Sequence, residues 1–215
     1  MTPTIVTIGD IPIGGAHPFA LIAGPCQLQS HAHARAMCEG ILEACAATGT
    51  RLIFKASYDK ANRSSITTKR GLGADKGLEI LARIREEYGV PVLTDVHDAA
   101  QCAVAAQAVD VLQIPAFLCR QTDLLLAAGE TGLAINIKKG QFLAPWDMKH
   151  VAAKVESTGN RRILLCDRGT SFGYNTLVTD FRGLAVMAAT GYPVVFDATH
   201  SVQQPGGQGA TSGGQ

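Results

Sequence analysis

Short apolar runs recur along the chain from residue 19 onward, and each of them is too short for a helix. They are apolar at consecutive positions, as in strands that are buried on both faces of a parallel sheet. The runs cover residues 19–23, 52–54, 90–93, 111–114, 133–137, 163–165 and 193–196. Before them, residues 4–19 alternate apolar and polar positions around Gly9-Asp10 and Gly14-Gly15, which predicts a small hairpin or lid.

Helical patterns separate these runs. In residues 31–48 the apolar positions fall on one helix face, and Ser30 is a suitable N-cap. Asp98 with Gln101 resembles a capping box and predicts a helix that ends near residue 108. Further helices are predicted at 76–88, 121–129, 146–157 and 180–190, the last of them stopped by Gly191.

The alternation of strands and helices predicts an α/β fold with an all-parallel sheet in a single domain over residues 1–215. We favour a (β/α)8 TIM barrel that begins at residue 19 and is preceded by a hairpin in residues 1–18. An open, doubly wound sheet is the alternative. The first strand, however, is followed by Gly-Pro-Cys-Gln-Leu-Gln, which lacks the glycine-rich pattern of a dinucleotide site.

The number of predicted strands is one short of a closed barrel. Such a barrel has eight strands in roughly 250 residues, whereas seven runs are found in these 215 residues. We therefore expect the last βα units to be missing, as in a C-terminally truncated form. The first and seventh strands would then have unpaired edges, which favour aggregation.

Composition excludes several classes of function. With 47% apolar residues, 17% charged residues and a net charge of +1, the chain has an ordinary globular composition. It has no overall basic field for nucleic acid or a membrane surface, and no apolar run approaches the roughly 18 residues of a membrane span. Without a secretion signal, the cysteines at 26, 38, 45, 102, 119 and 166 are predicted to be reduced thiols in a cytoplasmic protein.

The segment 55–65 is the most distinctive stretch of the chain. It combines the cations Lys55, Lys60 and Arg63 with four hydroxyl side chains and follows directly on a predicted strand. Arginine and lysine at such a position can hold a multiply charged anion. The alternative is a solvated basic loop.

Polar residues close every predicted strand. Because parallel barrels place their active sites at the carboxyl ends of the strands, these residues are predicted to converge in one mouth. The strand ends carry Cys26, Lys55, Asp95 with His97, Gln113, Asn136 with Lys138, Asp167 with Arg168, and Asp197 with His200. The cations Lys55, Lys60, Lys138 and Arg168, with Arg63 and Arg120 on adjoining loops, suit a substrate set that bears phosphate and carboxylate groups.

Cys26 and His200 would face each other, since the first and seventh strands lie near one another in a barrel. A thiolate and an imidazole are common ligands of divalent transition metals. Two alternatives stay open on the residues alone. Cys26 is a buried thiol beside a hydrogen-bonding His200, or it is a nucleophile that His200 activates.

Five segments resemble the signatures of the 3-deoxy-D-manno-octulosonate 8-phosphate synthase family, in the family's order. They are residues 55–65, 113–124, 136–145, 166–174 and 197–202. The resemblance implies a (β/α)8 barrel with an N-terminal hairpin, usually a homotetramer. It also implies a transferase that condenses phosphoenolpyruvate with arabinose 5-phosphate and releases phosphate. In this family the product enters the inner core of lipopolysaccharide.

The resemblance also implies roles for individual residues. Phosphoenolpyruvate would be held by Lys55, Lys60, Lys138 and Arg168, with Gln113 and the backbone of Pro115 and Ala116 beside them. Arabinose 5-phosphate would be held by Asn62, Arg63 and Ser64, and by Arg120 of a neighbouring subunit. Asp95 would orient the sugar or a lysine, and Ser57 and Gln141 are further substrate-binding candidates within the matching segments.

The family has two classes, which differ at the position of Cys26. Members with Asn there work without a metal, whereas members with Cys use a divalent metal ion. Cys26 thus implies the metal-using class, with Cys26 and His200 as ligands and Zn, Fe or Mn as plausible ions. The other two ligands of that class, a Glu and an Asp, belong to the last βα units, which we expect this chain to lack.

Two other functions stay open. The related synthase that uses erythrose 4-phosphate shares the barrel, the Gly-Pro-Cys start and the metal. It usually carries a Pro-Arg-Thr-like or Pro-Arg-Ser-like stretch where this chain has Lys-Ala-Asn-Arg-Ser-Ser. The second alternative is an inactive fragment that only binds phosphorylated ligands or partners.

Overall fold

An antiparallel hairpin of β1 (Val6–Ile8) and β2 (Ile11–Ile13) begins the fold. It is seen in a computed structural model that describes residues 3–63, 65–208 and 212–214. Gly9 lies in the turn with φ of 58°, a conformation that glycine adopts without steric cost. The hairpin predicted from residues 4–19 is therefore confirmed.

Seven parallel strands form the main sheet. They are β3 (Ala20–Ala23), β4 (Arg51–Lys55), β5 (Val92–Asp95), β6 (Val111–Ile114), β7 (Ala134–Lys138), β8 (Ile163–Asp167) and β11 (Val194–Phe196). Each is paired in parallel with the strand that precedes it in this series. All seven strands predicted from the apolar runs are confirmed.

Helices connect the strands as crossovers. They are α1 (His31–Thr48), α2 (Ala74–Tyr88), α3 (Ala99–Ala105), α4 (Thr122–Glu130), α5 (Met148–Glu156) and α6 (Arg182–Ala188). The Ser30 side chain caps α1 by accepting from the amide of His33, and Asp98 caps α3 by accepting from the amide of Gln101. The helix predicted from residue 146 begins at Met148 because Pro145–Asp147 form a 3-10 turn.

Alternation along the strands separates two apolar layers. Ile53, Leu93 and Leu164 face the inside of the curved sheet, where they pack against Ile8 and its hairpin neighbours. Their sequence neighbours, such as Phe54 and Leu165, face the helices and form the larger outer core. The hairpin thereby covers the amino-terminal end of the sheet, and the arrangement is of the TIM-barrel type.

Within the described ranges, β3 and β11 are the two edges of this sheet. Both are only partly buried, whereas β5 to β8 are buried throughout. Two short antiparallel pairs extend the carboxyl end. They join β9 (Thr170–Ser171) to β10 (Leu177–Val178) and β12 (Gln203–Gln204) to β13 (Gly213–Gly214). Among the described residues, every helix is too short or too polar to cross a membrane.

Candidate active site

A cavity of about 650 Å³ opens at the carboxyl ends of the strands. The structure brings most of the predicted site residues together in its wall. Those that line it are Cys26, Lys55, Lys60, Asn62, Arg63, Asp95, Gln113, Pro115, Ala116, Lys138, Gln141, Arg168 and His200. Positive side chains outnumber negative ones among them, so the cavity is suited to anions.

The alternation of each strand explains this convergence. Ile53 packs inside the sheet against the hairpin, and two residues later Lys55 lines the cavity. Leu93 and Asp95 on β5 are related in the same way. The apolar half of each inner face thus fills the barrel, and the polar half forms the floor of the cavity.

Asp95 is a buried carboxylate at the centre of a hydrogen-bond network. Its Oδ1 accepts from the hydroxyl of Ser57, and its Oδ2 lies 3.1 Å from Nε2 of His97. Lys60 in turn donates from Nζ to the Ser57 hydroxyl over 2.8 Å. Burial opposes ionisation of Asp95, but the hydrogen bond with His97 and the charges of Lys55 and Lys60 hold its pKa below the ordinary value.

Lys55 lies among other cations. Burial and the neighbouring charge of Lys60 lower the pKa of Lys55, and Asp95 works in the opposite direction. Lys138 adds to the same repulsion. A bound anion would relieve this crowding of positive charge, since like charges at short range destabilise one another.

Lys138 and His200 share one carboxylate. Nζ of Lys138 lies 2.5 Å from Oδ2 of Asp197, and Nδ1 of His200 lies 2.8 Å from the same oxygen. Burial opposes ionisation of Asp197, yet the hydrogen bond with His200 and the charge of Lys138 hold its pKa below the ordinary value. Because Asp197 occupies Nδ1, the imidazole turns Nε2 away from it.

Cys26 meets His200 at the edge of the cavity. The chain reaches this point through Gly24, where a Cβ atom would overlap the carbonyl oxygen of Lys55. The hydrogen bond with His200 is the largest influence on Cys26, and together with the charges of Lys60 and Lys55 it lowers the pKa of the thiol to about 6. Burial raises this pKa but is outweighed. Cys26 therefore has pronounced thiolate character.

The chemistry of this pair fits part of a transition-metal site. A thiolate and an imidazole held by a carboxylate are a common donor set for zinc and related ions. Across the part of the chain that the structure describes, no group of three or more His, Cys, Asp or Glu side chains is placed to hold a metal. Of the predicted ligands, the structure therefore brings together only the chemistry of Cys26 and His200 among the described residues.

Arg168 and Gln141 offer polar atoms that have no hydrogen-bond partner within the described residues. Arg168 donates from one terminal nitrogen to the carbonyl of His200 over 3.2 Å and to Oε1 of Gln203 over 3.1 Å, while its Nε is buried and unpartnered. Oε1 of Gln141 is also buried and unpartnered. Burial lowers the pKa of Arg168, with Asp197 opposing this effect. Such atoms mark positions where a ligand can complete the hydrogen bonding.

Within the described residues, Ser57 and Arg120 do not line this cavity, and neither do the strand-end residues Asn136, Asp167 and Asp197. Ser57 lies beneath its floor, where it connects Lys60 to Asp95. Arg120 is exposed, and its carbonyl accepts from Lys154. Ser64 lies outside the described residues.

The wall also contains residues that had no predicted role, and Gln203 is one of them. Gln203 lines the cavity from β12, a strand of only two residues that is too short to show a periodicity in the sequence. Its bond to Arg168 is visible only in the structure. His97 lies two positions after Asp95, and as predicted from the strand ends it lines the cavity.

The fold and the cavity define a barrel-type α/β protein with an anion site at the carboxyl ends of its strands. A family model described as the DAHP synthetase I family matches residues 3–212, and the chain belongs to this family. The chain is 67% identical over 210 residues to a protein of Granulibacter bethesdensis named 2-dehydro-3-deoxyphosphooctonate aldolase, covering 98% of the chain and 74% of that relative. A Methylobacterium radiotolerans protein of the same name is 63% identical, with 98% and 75% covered.

Proposed function

We propose that the chain condenses phosphoenolpyruvate with D-arabinose 5-phosphate and water to give 3-deoxy-D-manno-octulosonate 8-phosphate and phosphate. The observation that carries this proposal is the cationic cavity. Its wall holds five basic side chains, namely Lys55, Lys60, Arg63, Lys138 and Arg168. Close relatives that cover the whole described barrel have a name that indicates this sugar acid.

The deep part of the cavity suits phosphoenolpyruvate. The buried side chains of Lys138, Arg168 and Gln113 and the half-buried Lys55 line this part. Amide Nδ2 of Asn136 donates to Oε1 of Gln113 over 3.0 Å, so Gln113 has its own NH2 group free for an anion. Together these groups can hold one phosphate and one carboxylate through charge-assisted hydrogen bonds.

The rim of the cavity suits the sugar phosphate. Asn62 and Arg63 lie on the exposed loop after β4, and Pro115 and Ala116, which follow β6, line the same cavity. An arginine there can bind a terminal phosphate in bidentate fashion. Arg120 is exposed on its own chain, which supports its proposed reach into the cavity of a neighbouring subunit and, with it, a homotetramer.

The proposed reaction depends on stabilising the charges of the two substrates, and it needs no covalent intermediate with the protein. A carbon–carbon bond forms between the methylene carbon of phosphoenolpyruvate and the aldehyde carbon of the sugar. Water adds to the former enol carbon, and the bond from that carbon to the phosphate oxygen breaks. The lysines and Arg168 position both anions and stabilise the charge that moves between them.

We further propose a divalent metal ion, with Zn, Fe or Mn as candidates, at Cys26 and His200. Bound there, the ion would polarise and orient the reacting groups at the aldehyde end. Cys26 contributes a thiol that is readily ionised, and Asp197 holds the His200 ring in place. Removal of metal by a chelator is expected to abolish turnover, and Cys26→Ala is expected to abolish metal binding.

A reducing, cytoplasmic location is part of the same proposal. All six cysteines are free, and five of them are buried thiols without a disulfide partner. Free thiols in this number are usual in a reducing compartment. The product is proposed to serve lipopolysaccharide synthesis there.

Phosphate release from phosphoenolpyruvate tests the reaction. We expect the rate of phosphate release with arabinose 5-phosphate to exceed the rate with erythrose 4-phosphate by at least about a hundredfold. The wrong sugar would leave polar groups of the site unpaired, which is costly. Arg63→Ala should raise KM for the sugar phosphate. Arg182→Ala is the matched control, since Arg182 pairs with Asp180 on the surface. Preference for erythrose 4-phosphate would favour the related synthase, and binding without turnover would favour the inactive fragment.

A further inference from the structure

Two consecutive lysines at the end of β7 lie on opposite sides of the sheet. Lys138 lines the cavity. Lys139 does not line it and is only 1% exposed, which makes it one of the largest fully buried side chains of the described chain. A lysine this deeply buried needs a reason, because removing an ammonium group from water is costly unless it is fully hydrogen-bonded.

The ammonium of Lys139 joins two loops. Nζ donates to the carbonyls of Gly140, over 3.4 Å, and Leu143, over 3.3 Å, in the loop after β7. It also donates to the carbonyl of Gly169 over 3.3 Å and to Oγ1 of Thr170 over 3.1 Å, in the loop after β8. One buried cation therefore connects both loops at once.

Asp167 completes this arrangement. Its Oδ1 lies 4.0 Å from Nζ of Lys139 and accepts from the amide of Gly169 over 2.7 Å. Burial lowers the pKa of Lys139, and the charge of Asp167 opposes that effect. The carboxylate thus compensates the buried cation and fixes the loop that follows β8.

The two loops carry cavity residues between their fixed points. Gln141 lies between the Gly140 and Leu143 carbonyls that Lys139 holds, and its own carbonyl accepts from the amide of Ser171 over 2.9 Å. Arg168 lies between Asp167 and Gly169. Both residues present buried atoms to the cavity that have no hydrogen-bond partner among the described residues, as does His97 through Nδ1.

We propose that Lys139 is a positioning residue that fixes the loops after β7 and β8 and thereby sets where Gln141 and Arg168 meet the anionic substrate. It touches no substrate itself. The part of this inference that concerns the substrate rests on the proposed function. The part that concerns the loops does not.

Amide hydrogen exchange tests the loops without any substrate. In Lys139→Met, exchange in residues 140–143 and 169–171 should rise together by about tenfold or more, since several buried acceptors lose a charged donor. Thr170→Val removes one contact from an exposed residue and should give a smaller rise in both segments. If Lys139→Met fails to fold, Thr170→Val decides the question.

Thr176→Val and Lys154→Met are the matched controls. Thr176 is not among the hydrogen-bond acceptors of Lys139, and Lys154 bonds a carbonyl and a threonine hydroxyl elsewhere on the molecule. Neither variant should change exchange in these two segments. The proposal is overturned if Lys139→Met or Thr170→Val leaves both segments unchanged or loosens only one of them.

Calorimetric binding of phosphoenolpyruvate tests the consequence for the site. The dissociation constant should rise about tenfold in Lys139→Met, while that for arabinose 5-phosphate should stay within about twofold. An unchanged constant for phosphoenolpyruvate, with loosened loops, overturns the positioning role. Failure of the unaltered chain to bind phosphoenolpyruvate would instead count against the proposed function, and the exchange result would still decide the role of Lys139 in the loops.

Discussion

Lys138 and Asp197 form a 2.5 Å ion pair at the ends of β7 and β11. These two strands are not neighbours, since β8 lies between them. Both side chains are largely buried. The pair therefore spans the top of the inner face and connects the lysine side of the cavity to His200. It links the proposed anion site to the proposed metal site through a single carboxylate.

Asp197→Asn should impair both sites at once. Lys138 would lose its counter-charge, and His200 would lose the acceptor that fixes its ring. We expect kcat/KM to fall by about 10- to 100-fold, as for other changes of groups that orient a metal-binding histidine. Steady-state phosphate release measures this effect.

Asp180→Asn is the control for Asp197→Asn. Asp180 pairs with Arg182 over 2.8 Å, but both side chains are mostly exposed. Such pairs contribute little, so kcat/KM should stay within about twofold. Equal effects of the two variants would contradict the role given to Asp197.

Asp95→Asn should destabilise the protein at neutral pH. The carboxylate is buried against Ser57 and His97 and near the charges of Lys55 and Lys60. Breaking a buried charge network of this kind typically costs about 3 to 5 kcal/mol. Urea unfolding at pH 7 measures the change in the free energy of unfolding.

The same variant predicts a dependence on pH. The pKa of Asp95 is lowered in the folded state, so the unfolded chain takes up a proton first as the pH falls. The stability that ionised Asp95 contributes is therefore present above the ordinary carboxyl pKa of about 4 and is lost as the pH falls towards the lower folded value. The difference between wild type and Asp95→Asn should shrink in that range, and a difference that grows there would contradict this assignment.

Cys26 should be the most reactive thiol in metal-free protein. Its pKa is lowered to about 6, chiefly by His200, whereas burial raises the pKa of Cys38 and Cys102 to about 11. Alkylation by iodoacetamide at pH 7, followed by peptide mass spectrometry, should modify Cys26 first. In His200→Ala the rate at Cys26 should drop about tenfold or more, since most of the thiolate is lost.

The hairpin offers a test of what closes the amino-terminal end of the sheet. Ile8 is fully buried against the inner strand residues, and its truncation to alanine should cost about 2 to 5 kcal/mol. Asp10, in the turn of the same hairpin, makes an exposed ion pair with Arg51 of β4, and Asp10→Ala should cost less than about 1 kcal/mol. Urea unfolding compares the two, and a larger effect of Asp10 would mean that the ion pair, rather than burial, holds the hairpin.

Much of the fold follows from the sequence because each element is locally consistent. The apolar runs are strands, Ser30 and Asp98 cap the helices they precede, and the hairpin turns at Gly9. The strand-end rule then placed Lys55 and Lys138 in one cavity, since it needs only the order of the strands.

Features that depend on distant contacts could not be predicted. The burial of Lys139 depends on carbonyls of a loop about 30 residues away, as in its bond to Gly169. The contact of Cys26 with His200 was suggested by the family resemblance and by barrel topology, not by any local pattern. Gln203 belongs to the two-residue strand β12, which is too short to be recognised from a periodicity.

One side chain of strand β7 opposes an error in the pairing register of the strand. If β7 shifted its pairing register by one residue, a lysine would still reach the cavity, because Lys138 and Lys139 are adjacent. The two lysines therefore do not select the correct register. Asn136 does select it, since a shift of one residue would move this amide from its hydrogen bond with Gln113 into the apolar layer that Ile135 and Ile137 occupy. Asn136 thus fixes the register of β7 two residues before Lys138, whose position in the cavity depends on that register.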